Sequence, residues 1–349
     1  MKKEDIRRGM GLGGWLTNYK RFAVLPKEYR YTITLGDEEH FDRYITEKDA
    51  AYIASQGFDH VRLAFDQVVM EELKEPCHYR EAGLRHLDDF IGWAKKYGIN
   101  VVLNLHKAIG AYVEFDDDVD LMDEPDLRAR FTALWVMLEK RYHGEDHVAF
   151  ELMNEVKHPK GDAWNSLYKE TVAAIRALNP ARIIIVGSAE WNSCHRLKDL
   201  EVLPDPNVVY TYHFYEPFCF THQRGVLQPS EAYDNRDYFY PSPVEPYARR
   251  YPEYAAIGDR VDKAFLAHLM RDAFDFHEAH PEAMIYLGEF GTIRHADRGS
   301  RKRYLNDVIA LCKEHGFAYS VWNYLSTPYD GNRFSLVDDD ERRLLYEID

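Results

Sequence analysis

The stretch "HVAFELMNEV", residues His147 to Val156, decides how the chain is read. An apolar run ends abruptly in Asn154 and Glu155. An exposed edge tolerates such a pair, whereas a strand buried on both faces carries it only where the two side chains have work to do. Working outward, seven further short apolar runs share the pattern: Met10–Gly14, His60–Ala64, Asn100–His106, Arg182–Ser188, Val208–Tyr215, Ala283–Phe290 and Ala318–Tyr324. With His147–Asn154 they make eight candidate strands. Many are near-continuously apolar rather than alternating, as expected of parallel strands covered on both sides.

Helical patterns fall between them, at Thr46–Gln56, Leu84–Tyr97, Asp126–Tyr142, Asp162–Leu178 and Ser300–His315. Several stop at a glycine, which accepts the left-handed conformation that ends a helix. Alternating strand and helix predicts a parallel sheet, and eight units predict closure into a (β/α)8 TIM barrel. The 349 residues suit one such domain. One interval breaks the rhythm. From Glu216 to about Arg260 no clean helix or strand is visible, yet the interval holds six prolines and many aromatics. It reads as an inserted subdomain after strand six, about 216–260, packed over the C-terminal face of the barrel. So many aromatics argue against disorder.

The bulk composition excludes several function classes. A net charge of −15 argues against nucleic acid, whose phosphates require clustered Lys and Arg, and against an anionic membrane surface. No apolar window is long enough to span a bilayer. No apolar leader follows the basic N-terminus, so the expected location is cytoplasmic, or extracellular if a leader has been removed. Cys77, Cys194, Cys219 and Cys312 are scattered without a CxxC pair and read as free thiols. No metal motif stands out: His277-Glu278-Ala279-His280 is not HExxH, and Asp116–Asp120 lacks the glycine of a calcium loop. No cofactor is expected. The 25 Tyr, 18 Phe and 6 Trp supply flat faces of the kind sugar clefts use.

In a barrel of this kind the C-terminal strand ends carry the chemistry. They present Arg62, His106, Asn154-Glu155, His213-x-Tyr215, Glu289 and Trp322. Glu155 and Glu289 end strands four and seven, on opposite sides of a small mouth. Two carboxyls flanking one scissile bond are what glycoside hydrolysis needs, at about 5–5.5 Å for a retaining enzyme and about 6.5–9.5 Å for an inverting one. A single such Glu is also explained by a buried ion pair.

This set, with "NE", "HxY", "GEFG" and "VWNY" in that order, resembles glycoside hydrolase family 5, in the clan of (β/α)8 retaining enzymes. "GGW", "ITEKD", "GFDHVRL", "AFELMNEV" and "HFYEPFCFTHQ" further resemble bacterial endo-β-1,4-glucanases with an insertion after strand six. The resemblance implies that Glu155 is the acid/base and Glu289 the nucleophile. It implies that Asn154 binds the sugar 2-hydroxyl, that Arg62 and Tyr215 hold Glu289 ionised, and that His213 sits beside Glu155. His106 would touch sugar hydroxyls and Trp322 would floor the −1 subsite. Lys107 departs from the second His or Asp that many relatives carry, which bears on subsite contacts rather than on the reaction. Trp191 is expected in the cleft. Trp15 is weighed as rim packing and Glu190 as a solvated surface acid, and Phe218, Phe220 and His222 are expected to line the positive subsites. The implied substrate is a β-glucan. The alternatives are a β-mannanase or glucomannanase, a β-1,3-1,4-glucanase, and a non-catalytic carbohydrate-binding protein.

Overall fold

The structure, a computed structural model, describes residues 1–17, 33–111, 120–157, 161–225, 236–327, 333–338 and 342–348. Eight parallel strands close into a barrel: β1 Arg8–Leu16, β2 His60–Asp66, β3 Asn100–Lys107, β4 Val148–Glu151, β5 Ile184–Gly187, β6 Val208–Phe214, β7 Met284–Phe290 and β8 Ala318–Val321. Each pairs with its neighbour in chain order, and β1 closes on β8 through Arg8↔Tyr319 and Met10↔Val321. β2, β6 and β7 are buried at every position, which accounts for their unbroken apolar runs. Ladder pairing in β4 ends at Glu151; Leu152 and Asn154 still donate to the Ile185 and Leu105 carbonyls at 3.0 and 2.9 Å, and the chain bends at Asn154 as it carries Asn154 and Glu155 into the mouth.

The helices answer to local chemistry. Asp49 accepts the amide of Thr46 at 2.8 Å and caps Glu47–Ser55, and Asp37 does the same for Thr34 ahead of Leu35–Tyr44. Glu81–Tyr97, Pro125–Arg141, Gly161–Arg176 and Arg298–Glu314 lie close to the expected spans. One unit departs from the (β/α) rhythm. After β5 the chain makes only a short turn at Ala189–Asn192 and a 3-10 segment, Cys194–Asp199.

The interval after β6 is built of small pieces: Phe218–Thr221, Glu245–Ala248, a 3-10 turn at Pro252–Ala256, and an antiparallel ladder of Ser242–Pro243 with Arg260–Val261. None is long enough to show a period in the sequence. Its tyrosines seat on the helix Arg298–Glu314. Tyr240 donates to Asp307 at 2.6 Å, and Arg303 donates to the Tyr240 carbonyl at 3.0 Å. Two helices that the sequence reading did not mark, Lys263–Leu269 and Arg271–Ala279, lead on to β7. All four cysteines are free. Among the described residues no helix is long and apolar enough to cross a membrane.

Candidate active site

Arg62 is the hub. It projects from β2 and is fully buried. Its Nε and Nη2 donate to the two carboxylate oxygens of Glu151 at 2.7 Å each, and Nη2 also donates to Asn154 Oδ1 at 2.7 Å. Nη1 donates to Glu289 Oε1 at 2.6 Å. One planar guanidinium thereby ties the ends of β2, β4 and β7 together, a task for which its fixed fork suits it better than a lysine. Burial opposes its charge, but Glu151 and Glu289 more than compensate and raise its pKa.

Glu289 is 4% exposed. Its second oxygen accepts the Tyr215 hydroxyl at 2.9 Å. Burial pushes this carboxyl up, but His213, the Arg62 charge and the hydrogen bonds from Tyr215 and Arg62 outweigh it, so the net shift is downward. The Tyr215 phenol moves the other way, held well above its usual range by burial and by the facing Glu289. Glu155 is more open, its side chain 21% exposed. Its Oε1 lies 3.1 Å from His213 Nδ1, and the same nitrogen is 3.7 Å from Glu289 Oε2. One donor atom from each of Glu155, His213 and Glu289 lies within 4.8 Å of the others. That spacing is also within reach of a metal ion, but Glu289 already has a guanidinium against it, which disfavours a further cation there.

His106 and Trp322 form the apolar flank. Their rings are parallel to within 4°, with centroids 5.5 Å apart, and His106 Nδ1 is 3.2 Å from Asn104 Oδ1. The indole of Trp322 lies against β1. A Cβ on Gly13 would fall 2.2 Å from its Cη2, and one on Gly11 2.9 Å from its Cε3. Gly11 and Gly13 of "GMGLGG" therefore leave the space the indole occupies.

The structure thus brings Arg62, Asn154, Glu155, His213, Tyr215 and Glu289 into one hydrogen-bonded network, with His106 and Trp322 beside it. Trp191 stands apart on the rim, 51% exposed, its backbone amide donating to the Val156 carbonyl at 3.0 Å. Trp15 is buried and donates to the Phe41 carbonyl at 2.8 Å, so it is packing. Glu190 pairs with Arg196, whose hydrogen bond lowers its pKa. Lys107 is buried at the end of β3, in register with Asp66.

The residues opening the insertion correct the expectation placed on them. Phe220 is fully buried and packs on Tyr240 and Tyr304, away from any cleft. His222 is 4% exposed, stacked on Phe218 at 4.0 Å and set edge-on to Tyr215 at 5.1 Å. Thr221 Oγ1 donates to the Tyr215 carbonyl at 2.5 Å, so it accepts from His222 Nδ1 at 2.9 Å. Burial pushes His222 down to about 3. His222 and Thr221 thus brace Tyr215, and Phe220 is core, while Phe218 stays half-buried against His222.

Sequence reasoning missed three residues. Glu151, fully buried, is the bidentate partner of Arg62. Its signal was an acidic residue inside the apolar run of a buried strand. Phe334, edge-on to Tyr215 at 5.7 Å, comes from the segment after β8 and carried no motif. Asn192 is fully buried beneath the end of β4.

The family model for Cellulase (glycosyl hydrolase family 5) matches residues 28–327. The chain belongs to glycosyl hydrolase family 5. Within the family it is similar to Endoglucanase C of Acetivibrio thermocellus, 36% identical over 334 residues that cover 93% of each chain. It is also similar to Cellodextrinase A of Ruminococcus flavefaciens, at 27% identity over 91% of this chain and 85% of that one. Its fold is that of a hyperthermophilic endo-β-1,4-glucanase solved with substrate, at a TM-score of 0.74, 22% identity and coverage of 99% and 96%. As a family 5 glycoside hydrolase, this protein is an enzyme whose substrate is a glycan.

Proposed function

We propose that this chain is an endo-β-1,4-glucanase that cleaves internal linkages of cellulose-like and mixed-linkage β-glucans with retention at the anomeric carbon. One observation carries the stereochemistry: the oxygens of Glu155 and Glu289 that face each other lie within 4.8 Å. That falls short of the about 6.5–9.5 Å with which an inverting pair makes room for its attacking water, and suits direct attack by one carboxylate. The β-glucan preference is supported by the endoglucanase relative that covers nearly all of the chain.

Glu289, buried and held ionised, attacks the anomeric carbon. Glu155, nearer solvent, protonates the departing glycosidic oxygen as that bond breaks. The chain end leaves with the proton, and the sugar stays as an ester on Glu289. Esterification removes the Glu289 charge, so Glu155 is free to accept a proton from water. That water attacks the same carbon from the opposite face and returns the carboxylate. Because Asn154 Oδ1 accepts from Arg62, the Asn154 amide hydrogens are left for the sugar 2-hydroxyl. Trp322 and His106 offer flat faces to the ring, and Trp191 extends the surface on the rim.

The test is reducing-sugar release from carboxymethyl cellulose, mixed-linkage glucan, β-1,3-glucan and glucomannan, with product anomers followed by NMR. Release with β product first, abolished in Glu289→Gln, is expected. α product first would make the enzyme inverting. Glucomannan ranked above the glucans would reassign the substrate, and a folded protein that retains polysaccharide without releasing reducing ends would be a binder.

A further inference from the structure

We infer that Asn192, in the turn after β5, is a positioning residue for the general acid; this rests on the reading of Glu155 given above. Beyond Glu151 the paired ladder stops, and the backbone that carries Glu155 is held by single bonds. The amides of Leu152 and Asn154 donate to the Ile185 carbonyl of β5 at 3.0 Å and the Leu105 carbonyl of β3 at 2.9 Å. The carbonyls that flank Glu155 are held by the turn after β5. Asn192 Nδ2 donates to the Asn154 carbonyl at 3.2 Å, and the Trp191 amide donates to the Val156 carbonyl at 3.0 Å. The residues on both sides of Glu155 are therefore tied to one turn. Ser193, next in the chain, makes a parallel bridge with His213, the residue that contacts the Glu155 carboxyl. The turn thus reaches the general acid through its backbone and through its side-chain partner.

The turn has an unusual conformation. Glu190, Trp191 and Asn192 have φ of +48°, +57° and +60°, three consecutive non-glycine residues in the left-handed region. Such a run persists only where the surroundings over-determine it, and it clusters at functional sites. Here Asn192 Oδ1 accepts the Ser188 amide at 2.8 Å, which orients its Nδ2 at Asn154. Gly187 makes the room: a Cβ there would lie 2.7 Å from Asn192 Oδ1 and 2.8 Å from Nδ2. The fully buried Asn192 amide is thus aimed by one partner, spaced by the missing side chain of another, and spent on the residue before the general acid.

The test compares two substrates: cellotetraose, whose leaving group needs protonation, and a dinitrophenyl β-cellobioside, whose leaving group does not. Asn192→Asp keeps the acceptor for Ser188 and replaces the donor. It is expected to lower kcat/KM on cellotetraose by about ten- to a hundredfold, with less than about a threefold change in kcat/KM on the activated substrate, because kcat/KM reports the steps up to the glycosyl-enzyme, in which Glu155 acts only as acid. KM on cellotetraose is expected to stay within about threefold. Asn192→Gly, at ease at φ +60°, and Gly187→Ala, which displaces Asn192 without removing it, should show the same split. If Asn192→Asp does not fold, these two carry the test. Equal losses on both substrates, or none on either, overturn the inference. Glu155→Ala is the control. Should it fail to split the substrates, the assignment of the acid itself falls; should it split them while the Asn192 and Gly187 variants do not, only the role of Asn192 falls.

Discussion

The two carboxylates of this site are chemically alike and are held in opposite ways. Glu289 sits deep, and each of its oxygens takes a strong donor, Arg62 on one and Tyr215 on the other. Glu155 is half-open and contacts His213, while its backbone is tied to the turn after β5. On the proposed roles, a nucleophile must stay charged, and charge and donors surround Glu289. An acid must release and recover a proton, and the Glu155 side chain is left accessible while its backbone is tied down. The division of labour follows from where the protein places its donors.

Four changes would break or sharpen this contrast. The largest effect is expected for Glu289→Ala, with kcat down by about 10⁴-fold or more on activated and unactivated substrates alike, because no intermediate forms without a nucleophile. A leaving-group split there, measured by steady-state kinetics, would exchange the roles of the two acids. Next is Glu151→Ala, which leaves the buried Arg62 without its bidentate partner. Removing one member of such a pair costs about 3–5 kcal/mol, readable by denaturant titration. An unchanged midpoint would show that Arg62 does not depend on Glu151.

Tyr215→Phe is a milder change. It removes one of the groups that hold Glu289 below the ordinary carboxylate value of 4.5, so that pKa rises. The acid limb of kcat/KM should then move to higher pH, with a roughly tenfold loss at the optimum; a limb that moves down would contradict the bond to Glu289. The same depression has a stability side. The Glu289 contribution is present above pH 4.5 and is lost as pH falls below it, toward the lower folded value. The smallest expected effect is His222→Phe. His222 is held neutral down to about 3 against an ordinary 6.5, so the unfolded chain binds the extra proton between those values. Stability therefore falls as pH drops from 6.5 toward 3, and His222→Phe should flatten that slope in a pH series of melting temperatures. A slope unchanged by the substitution would assign it to other groups.

Much of this was legible because it is local. Unbroken apolar runs marked strands covered on both faces, and polar residues at their ends marked the mouth. What was hidden lies where a residue answers to a distant partner. Glu151 looks like a misfit in its own strand, and its meaning is supplied by Arg62, far off in sequence. The stretch Ala189–Asn192 carried readings only for the Trp191 ring and the Glu190 carboxyl; the left-handed turn there is held by Asn192, whose partners are Asn154 and Ser188. The elements within the interval after β6 escaped because they are too short to show a period. His222 was expected to line a subsite and instead braces Tyr215, since an aromatic near a site can brace as well as bind. Trp15 and Trp191 read alike in sequence, but Trp15 lies within β1 with its ring packed on His86 and Phe90 and bonded to the Phe41 carbonyl, while Trp191 stands exposed after β5.

Strand β1 contributes no polar group to the network, yet it regulates the depth of the cleft. With nothing but backbone at Gly11 and Gly13, the Trp322 indole rests against the barrel wall. A methyl at either position would act as a shim, lifting the aromatic plane toward the sugar and making the groove shallower while every charge and donor stays in place. If Trp322 floors the sugar site as proposed, the height at which a ring meets the two carboxylates is set from the far side of the indole, by atoms that are not there.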